Sequence, residues 1–427
     1  MLKILSLSKG GDLSKGFARI GGCGCGNELL LAYSCKCRWF CPSCHQKKVL
    51  LFGEQVVGEI AFPVPHRQYV FTIPKRLRGY FRGNRKLLGG LCVVARDSLK
   101  TFLREQLNLP EGDVGMITVI QTFGEYLGWH PHLHTLCADG LFMPEGLFYC
   151  MPACDLLELE RLFQSGVLKL LLKAGLIDEA TVENMHSWEH SGFGINNGKV
   201  IAKGDKAGLE RVAQYILRNP FSLAKMTYNP ATGTILYRSK RDYHSKCNFK
   251  VFTAEAFIAA ITQHIPERNF QNVRYYGWYS NKSRGQRGKQ APNQAVLASG
   301  DDDDISLADG IDVSDYVPKK RPAKKWRELI KKVYEVEPLQ CPKCVKQMKV
   351  LALIDEPIAI YEILSYVGLW EPVNEQIRPR APPLSDADAY TCPGEPEQYA
   401  LVFEAEDSNC DGIDELPQED VPVYVYD

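Results

Sequence analysis

Six cysteines crowd one short stretch, CGCGNELLLAYSCKCRWFCPSCH (residues 23–45), and no other feature narrows the possible folds of this chain as far. They are Cys23, Cys25, Cys35, Cys37, Cys41 and Cys44, with His45 immediately behind. In a reducing compartment, thiols clustered this way hold metal rather than form disulfides. Two residues separate Cys41 from Cys44, which lets both sulfurs reach one zinc ion while an upstream pair completes a tetrahedron. Cys25, Cys35, Cys41 and Cys44 are the favoured zinc set, with Cys23 or Cys37 as substitutes. A second CPKC, at Cys341 and Cys344, shows no evident partner pair and reads as half a ribbon or as a turn.

The reducing compartment is itself an expectation from the sequence. MLKILSLSKGGDLSKG at the start has no apolar signal-peptide core, and no run of about 18 apolar residues is available to span a bilayer. The expected location is cytoplasmic, in association with the nucleoid. A length of 427 residues suggests two or three units rather than one core. The net charge of zero hides a strong asymmetry: residues 199–290 hold 17 Lys or Arg against 5 Asp or Glu, whereas residues 371–427 hold 2 against 15. Basic residues interleaved with aromatics in RYYGWYSNKSRGQRGK (274–289), including Arg284 and Arg287, suit a phosphate backbone with bases free to stack. A solvated charged face is the plain alternative.

Periodicity organises the rest. QYVFTIP (68–74) reads as a strand stopped by Pro74, residues 85–107 as a helix, and VGMITVIQTFGEYL (114–127) as a second strand leading into HPHLH. Helical spacing returns at 155–174, 206–219 and 253–265, and TYNPATGTILYR (227–238) reads as a hairpin. The expected domains are a zinc-binding module (1–55), an α+β domain with an antiparallel sheet (56–280), a linker (281–320), a small C-terminal helical unit around CPKC (321–370) and an acidic, disordered tail (371–427).

Three of the nine histidines fall within five residues, His130, His132 and His134. Strand alternation places His132 and His134 on one face and turns Leu133 toward the core, while Pro131 predicts a break beside His130. Two imidazoles about 7 Å apart along a strand face can share one divalent ion. In KAGLERVAQYILRNPFS (206–222), Leu209, Val212, Ala213, Ile216 and Leu217 form a buried helical stripe, and Tyr215 lies well off its centre. Arg211 and Arg218 flank Tyr215 on the same side and are placed to hold a phosphate beside the phenol. Taken together, an ion on two histidines can polarise a phosphodiester oxygen while a tyrosine attacks phosphorus. A free phenol titrates near pH 10, so a nucleophilic tyrosine needs a cation close by. GxxxxGK[ST] does not occur, so strand separation has to come from another protein.

Four features in this order resemble the rolling-circle transposases of bacterial insertion sequences, members of the His-hydrophobic-His (HUH) group of single-strand endonucleases. They are SCKCRWFCPSC (34–44), HPHLH (130–134), YILRNPFS (215–222) and CPKC (341–344), and the likeness covers roughly residues 20–370. The resemblance implies an antiparallel-sheet HUH domain with His132 and His134 as ligands of Mg²⁺ or Mn²⁺. It further implies Tyr215 as the nucleophile that takes a 5′-phosphate of single-stranded DNA; the missing GxxxxGK[ST] motif makes a host helicase the expected partner. Members with two tyrosines place the second one helical turn later, where this chain has Asn219, so it resembles the single-tyrosine branch. Gln214, Gln121 and His130 are candidates for a third metal ligand. Two other readings compete: a zinc-finger DNA-binding regulator without catalysis, and a metal-dependent hydrolase of the amidohydrolase kind drawing on His186, His190, His244 and His264.

Overall fold

A computed structural model of the chain describes residues 12–33, 39–188, 190–239, 248–290, 310–316, 318, 328, 331 and 337–370. Cys35, Cys37, His244, most of 324–336 and the acidic tail lie outside the described residues. In chain order the main elements are β1 (Phe17–Gly21), β2 (Leu29–Ala32), α1 (Pro42–Gln55), β3 (His66–Thr72), α2 (Arg78–Gly83), α3 (Lys86–Leu107), β4 (Gly115–Phe123), β5 (Trp129–Ala138), β6 (Gly140–Phe142) and β7 (Leu147–Cys150). There follow α4 (Leu157–Lys173), α5 (Glu179–His186), β8 (Gly194–Asn197), α6 (Lys206–Ile216), β9 (Met226–Asn229), β10 (Thr234–Arg238), β11 (Phe249–Thr253), α7 (Ala254–Thr262), β12 (Val273–Gly277), α8 (Asn281–Gln290), β13 (Ile311–Asp312), β14 (Lys349–Ile354) and α9 (Pro357–Tyr366).

The central unit is a five-stranded antiparallel sheet in the order β12-β4-β5-β3-β8, so β5 with its histidines is the middle strand. Alternation divides each strand between two cores. Met116, Ile120, Leu133, Cys137 and Phe71 face one side and pack with α3 and α4 through Leu88, Leu91, Leu99, Phe163 and Leu171. Ile117, Val119, Leu136 and Ala138 face the other and meet α1 and α6 through Val49, Phe52, Leu209, Ala213 and Ile216. Burying such side chains contributes roughly 1.5–3 kcal/mol apiece, which makes the register hard to slip. The two covering helices come close together at Gly53, where a Cβ would stand 2.8 Å from Cγ of Gln214.

Pro131 does not end β5. The strand runs from Trp129, and the register shifts there: Gln121 pairs with His132 and Phe123 with Trp129, leaving Thr122 opposite both His130 and Pro131. The proline, which has no N–H to give, is absorbed in a β-bulge.

Two expectations are corrected. Residues 281–290, placed in a linker because of their glycine and charge, form α8 next to β12. The C-terminal region is not a separate helical unit. Its strand β14 pairs with β1, Ala18 opposite Leu353, in the sheet β14-β1-β2. Ala18, Ile20, Leu29 and Leu31 share one core with Met348, and on the other face Phe17 and Leu30 share one with Ile360 and Leu364 of α9. The hairpin β9–β10, joined by β11 and α7, forms a separate small sheet beside these. Among the described residues no helix is long and apolar enough to cross a membrane.

Candidate active site

His132 and His134 project from the middle strand beneath α6, both more than nine-tenths buried. Their Nε2 atoms converge to 3.1 Å. Burial holds both imidazoles neutral, with His132 pushed down to about 4 and His134 well below its ordinary range. Neutrality fixes the protons. Nδ1 of His132 donates to the carbonyl oxygen of His130 at 2.7 Å, so its Nε2 is a lone pair. Nε2 of His134 therefore donates to it, and Nδ1 of His134 accepts from the Gln68 side-chain amide at 2.8 Å.

Gln121 of β4, register partner of His132, donates through Nε2 to the carbonyl oxygen of Ile216 at 2.8 Å. Its Oε1 is buried with no hydrogen-bond partner among the described residues, as is Nε2 of His130. Two convergent neutral imidazoles beside an unpartnered amide oxygen are donors that fit a divalent ion. Gln214 points elsewhere: it bonds Glu210 at 3.0 Å and lies against Gly53 of α1.

Tyr215 stands in the last turn of α6, which Asp205 starts by accepting from the backbone N–H of Gly208 at 2.8 Å. The helix ends at Ile216, three residues short of the expected end. The phenol ring meets His134 edge-on, 5.6 Å between centroids, and remains 36% exposed, so a substrate can reach it. The Arg218 guanidinium lies over the same ring at 4.9 Å, while Arg211 is exposed one turn earlier. Two successive carbonyls past the tyrosine are anchored, that of Ile216 by Gln121 and that of Leu217 by Nε2 of His45 at 2.7 Å. His45 belongs to α1, whose N-cap is Cys41, so the CPSC helix is tied directly to the tyrosine helix.

Other expected site residues fall differently. Arg287 donates to the carbonyl oxygen of Trp278 at 2.6 Å and packs over Trp278 and Phe62, with burial pulling its pKa down to about 10. Arg284 packs over Tyr275 and bonds Asn281. The aromatics preceding them pack into the core: Tyr279 is fully buried with its hydroxyl 2.7 Å from Nε2 of His66, and Trp278 stacks on Phe142. His264 is a packing residue as well, bonded to Thr122 and to the carbonyl oxygen of Leu127 and stacked on Trp129. Asn219, one turn after Tyr215, has both side-chain polar atoms buried without a partner among the described residues.

The cysteines are regrouped. Cys25 does not join Cys41 and Cys44; its sulfur lies 3.2 Å from Cys23 and 3.6 Å from Cys341, and with Cys344 these make a cluster whose sulfurs all lie within 4.8 Å of one another. The partner of CPKC is thus the CxC motif, brought together by the β1–β14 pairing. Cys35, expected beside Cys41 and Cys44, lies outside the described residues.

Sequence reasoning missed Gln68 and His45. Gln68 was visible only as a lone polar residue in the apolar strand QYVFTIP, and His45 as the residue after CPSC.

Comparison with known proteins places the chain beside transposases. Residues 115–287 match a family described as "Putative transposase", and residues 3–73 match a "Transposase zinc-binding domain". A protein named "Putative transposase y4qJ" from Sinorhizobium fredii (strain NBRC 101917 / NGR234) is 28% identical over 282 residues, covering 62% of this chain and 70% of that one. The "Transposase for insertion sequence element IS801" from Pseudomonas savastanoi pv. phaseolicola is 26% identical over 280 residues, covering 62% and 66%. No solved structure matches the chain significantly. The histidine-bearing strand β5 lies inside the first match, and the second match precedes it, the order expected of a transposase that carries its own zinc-binding domain. More narrowly, the chain is similar to an insertion-sequence transposase of the IS801 type.

Proposed function

We propose that this transposase cuts and rejoins single-stranded DNA at the ends of its element by a rolling-circle route, with Tyr215 as nucleophile. The observation that carries this reading is the phenol of Tyr215 set edge-on against His134 with Arg218 over its ring. Tyr215 Oη attacks the scissile phosphorus, a tyrosyl 5′-phosphate bond forms, and the P–O3′ bond breaks to leave a 3′-hydroxyl that takes up the proton. The phosphotyrosine conserves the energy of the broken bond, so a 3′-hydroxyl of target or element DNA reverses the reaction without ATP.

His132 and His134 would hold Mg²⁺ or Mn²⁺, which would supply positive charge against a phosphodiester oxygen. Arg218 offers a second positive charge on the exposed side of the ring, with Arg211 available to the flanking phosphate. For His134 to present a lone pair at Nε2, its proton has to move to Nδ1, and Gln68 then has to turn its amide so that Oε1 accepts. Strand separation falls to a host helicase.

The test is incubation of purified protein with Mn²⁺ and single-stranded DNA carrying element ends. Wild type nicks the strand and becomes covalently attached, and Tyr215→Phe folds normally without attaching. Attachment that persists in that variant moves the nucleophile to Tyr228, Tyr275 or Tyr276, while DNA binding by wild type without cleavage supports the regulator reading.

A further inference from the structure

We propose that Cys23, Cys25, Cys341 and Cys344 form one tetrathiolate zinc site built from two segments 316 residues apart, and that this site clamps the β14–α9 unit onto β1 and β2.

Geometry carries the proposal. Four sulfurs around a zinc ion at about 2.3 Å lie about 3.8 Å from one another in a tetrahedron. Here Cys23 and Cys25 are 3.2 Å apart, Cys25 and Cys341 are 3.6 Å apart, and all four lie within 4.8 Å of one another. Sulfurs 3.2 and 3.6 Å apart stand well beyond the disulfide bond length of about 2.05 Å, as members of one ligand set do.

The backbone on both sides is bent to aim them. Gly22, Gly24 and Gly26 all take positive φ, at 82°, 82° and 68°, which turns the CxC loop around its sulfurs. After Cys344, Val345 adopts φ 60°, an unfavourable conformation for a β-branched residue. That turn lies inside a tight hairpin in which Gln340 bridges Gln347, Val345 N–H donates to the carbonyl oxygen of Cys341, and Cys341 N–H donates to that of Lys346. Asn27 adds a donor to the Cys341 sulfur at 3.7 Å, the kind of outer contact that orients a metal ligand.

The surroundings suit a closed structural site. Cys23 and Cys341 are buried, on an apolar floor of Ala18, Ile20, Leu29, Leu31 and Met348 drawn from both segments. Closed sites of four thiolates are characteristic of structural zinc. The matched zinc-binding domain stops at residue 73, so half of this ligand set lies beyond it.

Zinc stoichiometry of the full chain, measured by mass spectrometry of the metal, tests the idea. Cys25→Ser and Cys341→Ser are each expected to lose the same single equivalent, and the double variant to lose no more than either. Hydrogen exchange in 17–32 and 349–366 should rise together in both variants while exchange in 115–138 stays at the wild-type level. Full zinc content in Cys341→Ser, or losses that add in the double variant, would overturn the shared site. Should the serine variants fail to fold, Cys344→His with Co²⁺ in place of zinc decides: wild type gives a tetrathiolate absorption spectrum, and the variant shifts toward three sulfurs and one nitrogen. An unshifted spectrum removes Cys344 from the site.

Discussion

Nε2 of His45 donates to the carbonyl oxygen of Leu217 at 2.7 Å, so the helix behind CPSC holds the chain two residues beyond Tyr215. His45→Leu leaves that buried carbonyl unpaired, a loss of about 1–3 kcal/mol. We expect a lower urea midpoint together with slower covalent attachment to DNA, because the end of α6 loses one of its two anchors. An unchanged midpoint and attachment rate would mean that Gln121 alone fixes the helix end.

Gln68 meets Nδ1 of His134 at 2.8 Å, the nitrogen that has to carry the proton when a metal takes Nε2. Gln68→Leu removes the partner that supports Nδ1–H and should weaken Mn²⁺ binding by about 10–100-fold. Gln68→Glu offers acceptors only and should bind Mn²⁺ at least as tightly as wild type. Titration by calorimetry reads both, and equal affinities in the two variants would remove Gln68 from the site's support.

Arg67 of β3 forms a two-pronged ion pair with Asp139, which follows β5, at 2.9 Å on each side. The Asp139 side chain is 5% exposed and that of Arg67 18%, so removing one partner strands a charge out of water. Asp139→Ala should cost about 3–5 kcal/mol. Chemical denaturation measures it, and a loss below about 1 kcal/mol, the value of a surface pair, would contradict this account.

Acid should weaken the fold before it touches most carboxylates. His66, His132 and His264 are pushed by burial from the ordinary value near 6.5 to about 4. Between those values the unfolded chain binds more protons than the folded one, so stability is complete above pH 6.5 and falls as pH drops toward 4. At about 1.4 kcal/mol per pH unit for each imidazole, the combined loss is on the order of several kcal/mol. The urea midpoint should decline from pH 7.5 to pH 5, and less steeply in His264→Gln. A flat profile would show that these rings take up protons in the fold as readily as in the unfolded chain.

Local features of this molecule were legible in its sequence. Period-two and helical spacing located β3, α3, α6 and the hairpin β9–β10 to within a few residues, and the half-exposed side of α6 at Tyr215 followed from the same pattern. Relations between distant segments were not. The pairing of Cys25 with Cys341 leaves no spacing signal across 316 residues, and the role of Gln68 exists only through the register of β3 on β5. Residues 274–289 misled for a different reason. Charge and aromaticity cannot say that Tyr279 inserts into the core or that Arg287 closes over Trp278.

The β1–β14 pairing also sets a timetable for synthesis. Cys25 and Cys341 are 316 residues apart, so at roughly 5–20 residues per second about 15–60 s of translation separates them. For that interval β1 has an open edge with no β14 to cover it, while the β3–β5 sheet can already form on the ribosome. A transcript cut short before residue 337 would still encode the histidine sheet and Tyr215, yet leave its first strand permanently uncovered, a target for aggregation or proteolysis.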